Sequence, residues 1–181
     1  MGVVETLSST ERFANPWLAV REDVVRLPDG GTGTRTVVTG PDIALVVALD
    51  GDRVHLVEQH RHPVGGRRWE LPSGSLDERD ADAVAAAARE LREETGLVAG
   101  TLTPLGTLEM SPSTLDQRCR VFLATDLTAG APAPDPEEQD LRSAWFARAE
   151  VEQMARDGRL SDAKSLAAYA LLLLHERATP S

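Results

Sequence analysis

The chain is short of several things, and each shortage removes a class of function. Cysteine occurs once, at Cys119, so neither an intrachain disulfide nor a cysteine-based zinc site can form. A reducing compartment fits this usage, and a cytoplasmic location is expected. Aromatic residues make up 4% of a chain that is 41% hydrophobic, which predicts an aliphatic core. Positive charge is scarce: 19 Lys and Arg stand against 29 Asp and Glu, for a net charge of -10. That balance argues against nonspecific binding to nucleic acid or to an anionic membrane. Phosphate groups would be held only through a local cationic site or a bound metal. The longest apolar run, "LAAYALLLL", is too short to span a bilayer. The start, "MGVVETLSST", lacks a basic segment followed by an apolar one, so no secretory signal is expected; Gly2 and Thr6 match only a loose myristoylation pattern. There is no phosphate loop ending in Gly-Lys-Ser/Thr, and "GGTGTR" lacks the helix a dinucleotide fingerprint needs.

What is present suits one domain with a small appendage in 181 residues. "LAVREDVVRL" reads as a strand, "PDGGTG" as a turn, and "TVV" at 36–38 as its returning partner. "IALVVAL" and "RVHLVEQ" flank Asp50-Gly51-Asp52 as a hairpin. "RRWEL" reads as a short strand before the loop "PSGSLDERD". An alanine-rich helix runs from about Asp82 to Thr95 and stops at Gly96. "LTPLGTLEM", "RCRVFLATDL" and "RSAWFA" are further strands, and helices at roughly 148–157 and 161–176 close the chain. Strands mixed with few helices, without βα alternation, predict α+β.

The helix contains "RELREETG", in which Glu90, Glu93 and Glu94 share one face. Like charges at this spacing destabilise a helix, and their place near its C-terminal end opposes the dipole. Val84, Ala88 and Leu91 fall opposite and are expected to pack inward. Arg89 and Arg92 offset part of the repulsion. A hard divalent cation would offset it better, since carboxylate oxygens suit Mg2+ or Mn2+.

"GSLDERDADAVAAAARELREETGL", Gly74 to Leu97, resembles the signature of the Nudix hydrolases: a glycine, five residues, a glutamate, seven residues, then Arg-Glu-aliphatic-x-Glu-Glu-x-Gly-aliphatic. The second half matches completely. In the first half the spacing from Gly74 to Arg89 is one residue longer, and Ala81 stands where the glutamate is usual, between Asp80 and Asp82. Either aspartate is a candidate replacement as the partner of Arg89, and Asp82 also suits a helix cap. The resemblance implies an α/β/α sandwich with a mixed β-sheet and an N-terminal antiparallel β-extension. It implies metal ligation by Glu90, Glu93, Glu94 and the Ser73 carbonyl, with Mg2+ as cofactor and Mn2+ as the alternative.

Outside that stretch the chain resembles the ADP-ribose and nucleotide-sugar pyrophosphatase branch of the family. "LVEQHRHPVGGRRWELPSG", Pro112 in "MSPSTLDQR" and "RLSDAKSLAAYALLLL" carry that likeness. It implies hydrolysis of ADP-ribose or a related nucleoside diphosphate sugar, with GDP-mannose, coenzyme A, a nucleoside triphosphate, or binding without cleavage as alternatives. It implies Arg61, Arg67, Glu70 and Pro112 as substrate-binding candidates, with Arg68 next to Arg67. It places the base on the loop "PDPEEQD", at Glu137 or Glu138, and counts Glu93 as catalytic for assisting Glu90 and Glu94 at the metal. Residues 1–40 would form a dimerising extension and 41–181 the hydrolase domain. The expected partners are a small nucleotide-sugar substrate and a second copy of the chain, with no nucleic acid and no membrane.

Overall fold

The computed structural model describes residues 4–131 and 140–178. The chain falls into two compact units, Met1–Asp42 with Glu109–Arg118, and Ile43–Leu108 with Cys119–Ser181. The first is built on an antiparallel sheet of β1 (Glu5–Ala14), β2 (Ala19–Arg26) and β3 (Thr32–Thr39). β1 was not legible in the sequence. Its residues "ETLSSTERFA" are exposed throughout, so no alternation of apolar residues marks it, and it is a strand because it pairs with β2 from Glu5↔Arg26 to Ala14↔Ala19. The returning partner of β2 is also longer than the "TVV" expected. Residues 109–118 belong to this unit because Leu115 bridges to Val38, whose N–H bonds the Thr114 carbonyl at 2.8 Å.

The second unit carries β4 (Ile43–Asp50), β5 (Arg53–Arg61), β6 (Gly66–Glu70), β7 (Ser73–Ser75), β8 (Leu97–Glu109), β9 (Arg118–Ala129) and β10 (Arg142–Ala147). The main path is β10-β5-β4-β9-β8, with β6 on β5 and β7 on β4. β4 lies parallel to β9 and antiparallel to β5, so the sheet is mixed. The run "ALVVA" at 44–48 is buried on both faces, as a central strand requires. Ala44, Val46 and Ala48 form one face of it and pack with Phe122 and Ala124 against Ala86, Ala87 and Leu91 of helix α1 (Ala83–Thr95). The small side chains at this interface let helix and sheet approach closely. α2 (Arg148–Asp157) packs on β10 and β5, and α3 (Ala163–Ala178) on β4. The expected α+β sandwich with helices on a mixed sheet is the fold observed.

One departure from regular pairing positions the site. β4 and β5 stay paired only next to their hairpin, at Leu49↔Val54 and Asp50↔Arg53. Further along, the freed edge of β4 takes the short strand β7, with Leu45 opposite Ser73 and the Val46 N–H on the Pro72 carbonyl at 2.9 Å. A three-residue strand carries too little periodicity to be read from sequence, so "PSGSLDERD" reads as a loop and the structure makes its Ser73–Ser75 part a strand.

β5 also buries a histidine. His55 is 6% exposed, its Nδ1 meets no hydrogen-bond partner among the described residues, and its ring lies edge-on to Trp145 at 4.7 Å. Burial pushes its pKa down from 6.5 to about 4. The folded chain therefore refuses a proton that the unfolded chain takes up below pH 6.5. Stability is expected to fall as pH drops from 6.5 to 4, by up to about 3 kcal/mol, and this contribution is flat outside that window. Thermal midpoints measured across the window should decline in the wild type and decline less in a His55→Phe variant.

Candidate active site

The site grows from the local chemistry of α1. Asp82 is the N-cap, its carboxylate accepting the Ala85 N–H at 2.9 Å. Gly96 ends the helix in the left-handed conformation (φ 73°), its N–H on the Arg92 carbonyl. Such a φ suits glycine because a Cβ is strained there. Between these ends the structure corrects the expected inward face. Val84 and Ala88 are exposed, and the buried residues are Ala86, Ala87, Glu90, Leu91 and Glu94. The carboxylates of Glu90 and Glu94 thus lie on the packed side, one turn apart, at 7% and 3% exposure. Leaving two like charges out of water is costly unless something compensates them.

Part of the compensation comes from the chain. Glu94 Oε2 accepts the Ser73 N–H at 2.9 Å. Glu90 Oε1 takes Arg89 Nη1 at 2.6 Å, and the same nitrogen reaches Glu93 at 3.0 Å. Gly74 makes room for Glu90: a Cβ built there would lie 2.1 Å from Glu90 Oε1. Arg89 is anchored in turn by Asp80, at 3.0 and 2.8 Å, and by the Ser75 carbonyl at 3.0 Å. Asp80 therefore partners Arg89 while Asp82 caps the helix, which divides the two roles the sequence left open around Ala81. These hydrogen bonds raise the pKa of Arg89 and lower that of Asp80.

The donor set suits a hard divalent cation: two buried carboxylates, Glu93 beside them, and the backbone of Ser73 and Gly74. Among the described residues no three acidic, histidine or cysteine side chains converge closely enough to hold an ion; Glu90 and Glu94 face Arg89 and the Ser73 N–H. The oxygen-only chemistry of these residues fits a divalent cation.

A second cluster lies at β5, β6 and the start of α3. Glu70 is 3% exposed. It receives Arg61 Nε on Oε1 and Arg61 Nη2 on Oε2, both at 2.8 Å, and Lys164 Nζ on Oε2 at 2.7 Å. Burial pushes the Glu70 pKa up, but the hydrogen bonds of Arg61 and the charge of Lys164 outweigh it and hold the pKa at about 2. The pKa of Arg61 is raised first by the Glu70 hydrogen bonds and further by the charges of Glu94 and Asp162. Arg67 faces away from this cluster, on Glu58 at 2.8 Å and Asp140 at 2.6 Å. The Arg68 guanidinium hydrogen-bonds the carbonyls of Arg67 and Val64, and no other hydrogen bond from it occurs among the described residues. Of the expected substrate-binding residues, Arg61 and Glu70 are brought together. Lys164 was missed, because 94 residues separate it from Glu70; its being the only lysine in the chain was the available signal.

Pro112 belongs to the other unit. It lines a cavity of about 310 Å³ with Val37, Glu109, Leu115, Asp116, Gln117 and Arg118. The Ser111 carbonyl accepts the N–H groups of Thr114 and Leu115 at 2.8 and 2.7 Å, which fixes the turn that presents Pro112. Glu137 and Glu138 lie outside the described residues.

Known proteins resemble this chain over most of its length. A family model described as NUDIX domain matches residues 39–169, and one described as nucleoside diphosphate sugar hydrolase N-terminal domain matches residues 4–38. The chain is 39% identical over 173 residues to an ADP-ribose pyrophosphatase of Mycobacterium tuberculosis, covering 94% of this chain and 83% of that protein. It is 28% identical to a methanol dehydrogenase activator of Bacillus methanolicus, covering 95% and 94%. A crystal structure of an ADP compounds hydrolase superimposes with a TM-score of 0.87, over 98% of this chain and 96% of that one, at 19% identity.

Proposed function

Since the chain belongs to the Nudix hydrolase family, we propose that it hydrolyses the diphosphate linkage of ADP-ribose or a related nucleoside diphosphate sugar, giving a nucleoside monophosphate and a sugar phosphate. The observation that carries this reading is the pair of buried carboxylates, Glu90 and Glu94, held against the Ser73–Gly74 backbone. The name of the Mycobacterium tuberculosis relative supports ADP-ribose as the first substrate to test.

In this reading Glu90, Glu94, Glu93 and the Ser73 carbonyl hold Mg2+, with Mn2+ as the alternative. The cation would neutralise the diphosphate and acidify a bound water. Arg89 keeps Glu90 and Glu93 aimed, as residues behind metal ligands commonly do. Arg61 grips the diphosphate, a task guanidinium suits because it offers paired donors. Glu137 or Glu138 takes the proton of the attacking water.

The test is product analysis by chromatography, with Mg2+ and a panel of ADP-ribose, GDP-mannose, other nucleotide sugars, nucleoside triphosphates and coenzyme A. AMP with ribose phosphate from ADP-ribose is the expected outcome, with turnover sharply reduced in Glu137→Gln, in Glu138→Gln or in the double variant. Turnover confined to triphosphates or coenzyme A would displace the reading. Saturable binding of a nucleotide sugar without cleavage would mark a sensing module.

The same reading makes the N-terminal sheet a dimerisation surface. Val4, Leu7 and Phe13 are exposed along or beside β1, whose residues are all open to solvent. Sedimentation should give a species of twice the 19.5 kDa chain mass; a monomer across the micromolar range would remove this part of the proposal.

A further inference from the structure

Glu70 is buried between two cations, and its two oxygens are occupied by Arg61 and Lys164. A ligand would therefore meet Arg61, whose side chain is 39% exposed, and not Glu70, whose side chain is 4% exposed. Glu70 takes Arg61 through Nε and one Nη2 hydrogen. The donors on Nη1 meet no partner among the described residues and remain available to an anion.

A guanidinium paired one-to-one with a carboxylate is electrically neutral from outside, which would defeat an anion clamp. The third member changes this. Lys164 Nζ shares Glu70 Oε2 at 2.7 Å, with its side chain 10% exposed, so one negative charge is divided between two cations. Lys164 also touches Asp162 at 3.0 Å. That aspartate already accepts the N–H of Ser165 at 3.0 Å and its hydroxyl at 2.5 Å. It sits just before α3, where the helix dipole offsets part of its charge. Next to Lys164 on the same turn, Ser165 Oγ accepts the Leu71 N–H at 2.8 Å. The start of α3 therefore fixes both the charge of Glu70 and the backbone that runs on to Ser73.

On these grounds, and resting on the diphosphate substrate proposed above, we propose that Lys164 is a positioning residue: by sharing the charge of Glu70 it leaves Arg61 free to hold the substrate's diphosphate. Removing the ammonium would leave Arg61 to neutralise Glu70 alone and draw its field inward.

The test is calorimetric titration with α,β-methylene-ADP, whose diphosphate bridge cannot be hydrolysed, in Mg2+ buffer. Lys164→Met should weaken binding about tenfold, and Lys164→Arg should bring it back to within about threefold of wild type. In kinetics the loss should appear more in KM than in kcat. The decisive comparison is made in a Glu70→Gln background, where no buried carboxylate charge remains to be shared. There Lys164→Met should have almost no further effect, because the double variant holds no Glu70 charge for Arg61 to neutralise alone. Equal losses in both backgrounds, or no loss in either, would overturn the role assigned to Lys164 while leaving the function intact. A wild-type protein that binds no diphosphate analogue would overturn the proposed function itself.

Discussion

Replacing Glu94 by glutamine is expected to reduce turnover of ADP-ribose on the order of a thousandfold at saturating Mg2+. The substitution keeps an oxygen for the Ser73 N–H, so β7 stays held. What it removes is a buried negative charge one turn from Glu90. Metal-assisted stabilisation of a transition state amounts to several kcal/mol, which corresponds to about that factor in rate. The metal-free variant should be no less stable than the wild type to heat, because a neutral amide costs less to bury than a carboxylate. Rates and thermal midpoints measured on the same preparation check both parts. Activity within tenfold of wild type would remove Glu94 from the ligand set.

Gly74→Ala should come close to this in effect although it adds only a methyl group. The new Cβ would fall 2.1 to 2.3 Å from the carboxylate atoms of Glu90, far inside van der Waals contact. Two responses are open. Glu90 can swing away, breaking its bond to Arg89 Nη1 at 2.6 Å, or β7 can slide on β4, disturbing the Ala44↔Gly74 pair. Either displaces a proposed ligand by about an ångström, and a misplacement of that size costs roughly a hundredfold in rate. The variant should also need more Mg2+ for half-maximal activity, which a general loss of folding would not produce. Wild-type Mg2+ dependence would refute the close packing of Gly74 on Glu90 as a functional contact.

Part of the candidate site's local structure was legible in the sequence because it is set by neighbours in the chain. "RELREETG" fixes a helix with Glu90 and Glu94 on one face, and Gly96 ends it, whatever surrounds it. The hairpin at Asp50-Gly51-Asp52 and the helices near 148–157 and 161–176 follow from turn chemistry and periodicity in the same way. The direction of the glutamate face was not legible. Helical spacing put Val84, Ala88 and Leu91 inside, opposite the glutamates, whereas only Leu91 of the three is buried and Glu90 and Glu94 are packed beside it. The usual rule fails here because Ser73 and Gly74 receive the carboxylates beside Arg89, and those two lie outside the helix.

The sequence by itself therefore determined the family, the mixed α+β class and the acidic helix, because each rests on spacing within a few turns or one hairpin. Tertiary structure alone decided which aspartate beside Ala81 meets Arg89, since a side chain nine residues away reaches it only after the loop has folded back. It alone decided that β1 is a strand, through pairing and not through pattern. It alone joined Lys164 to Glu70 across 94 residues. Periodicity and capping act through covalent neighbours and can be read along the chain, while the partner of a buried charge is selected by packing.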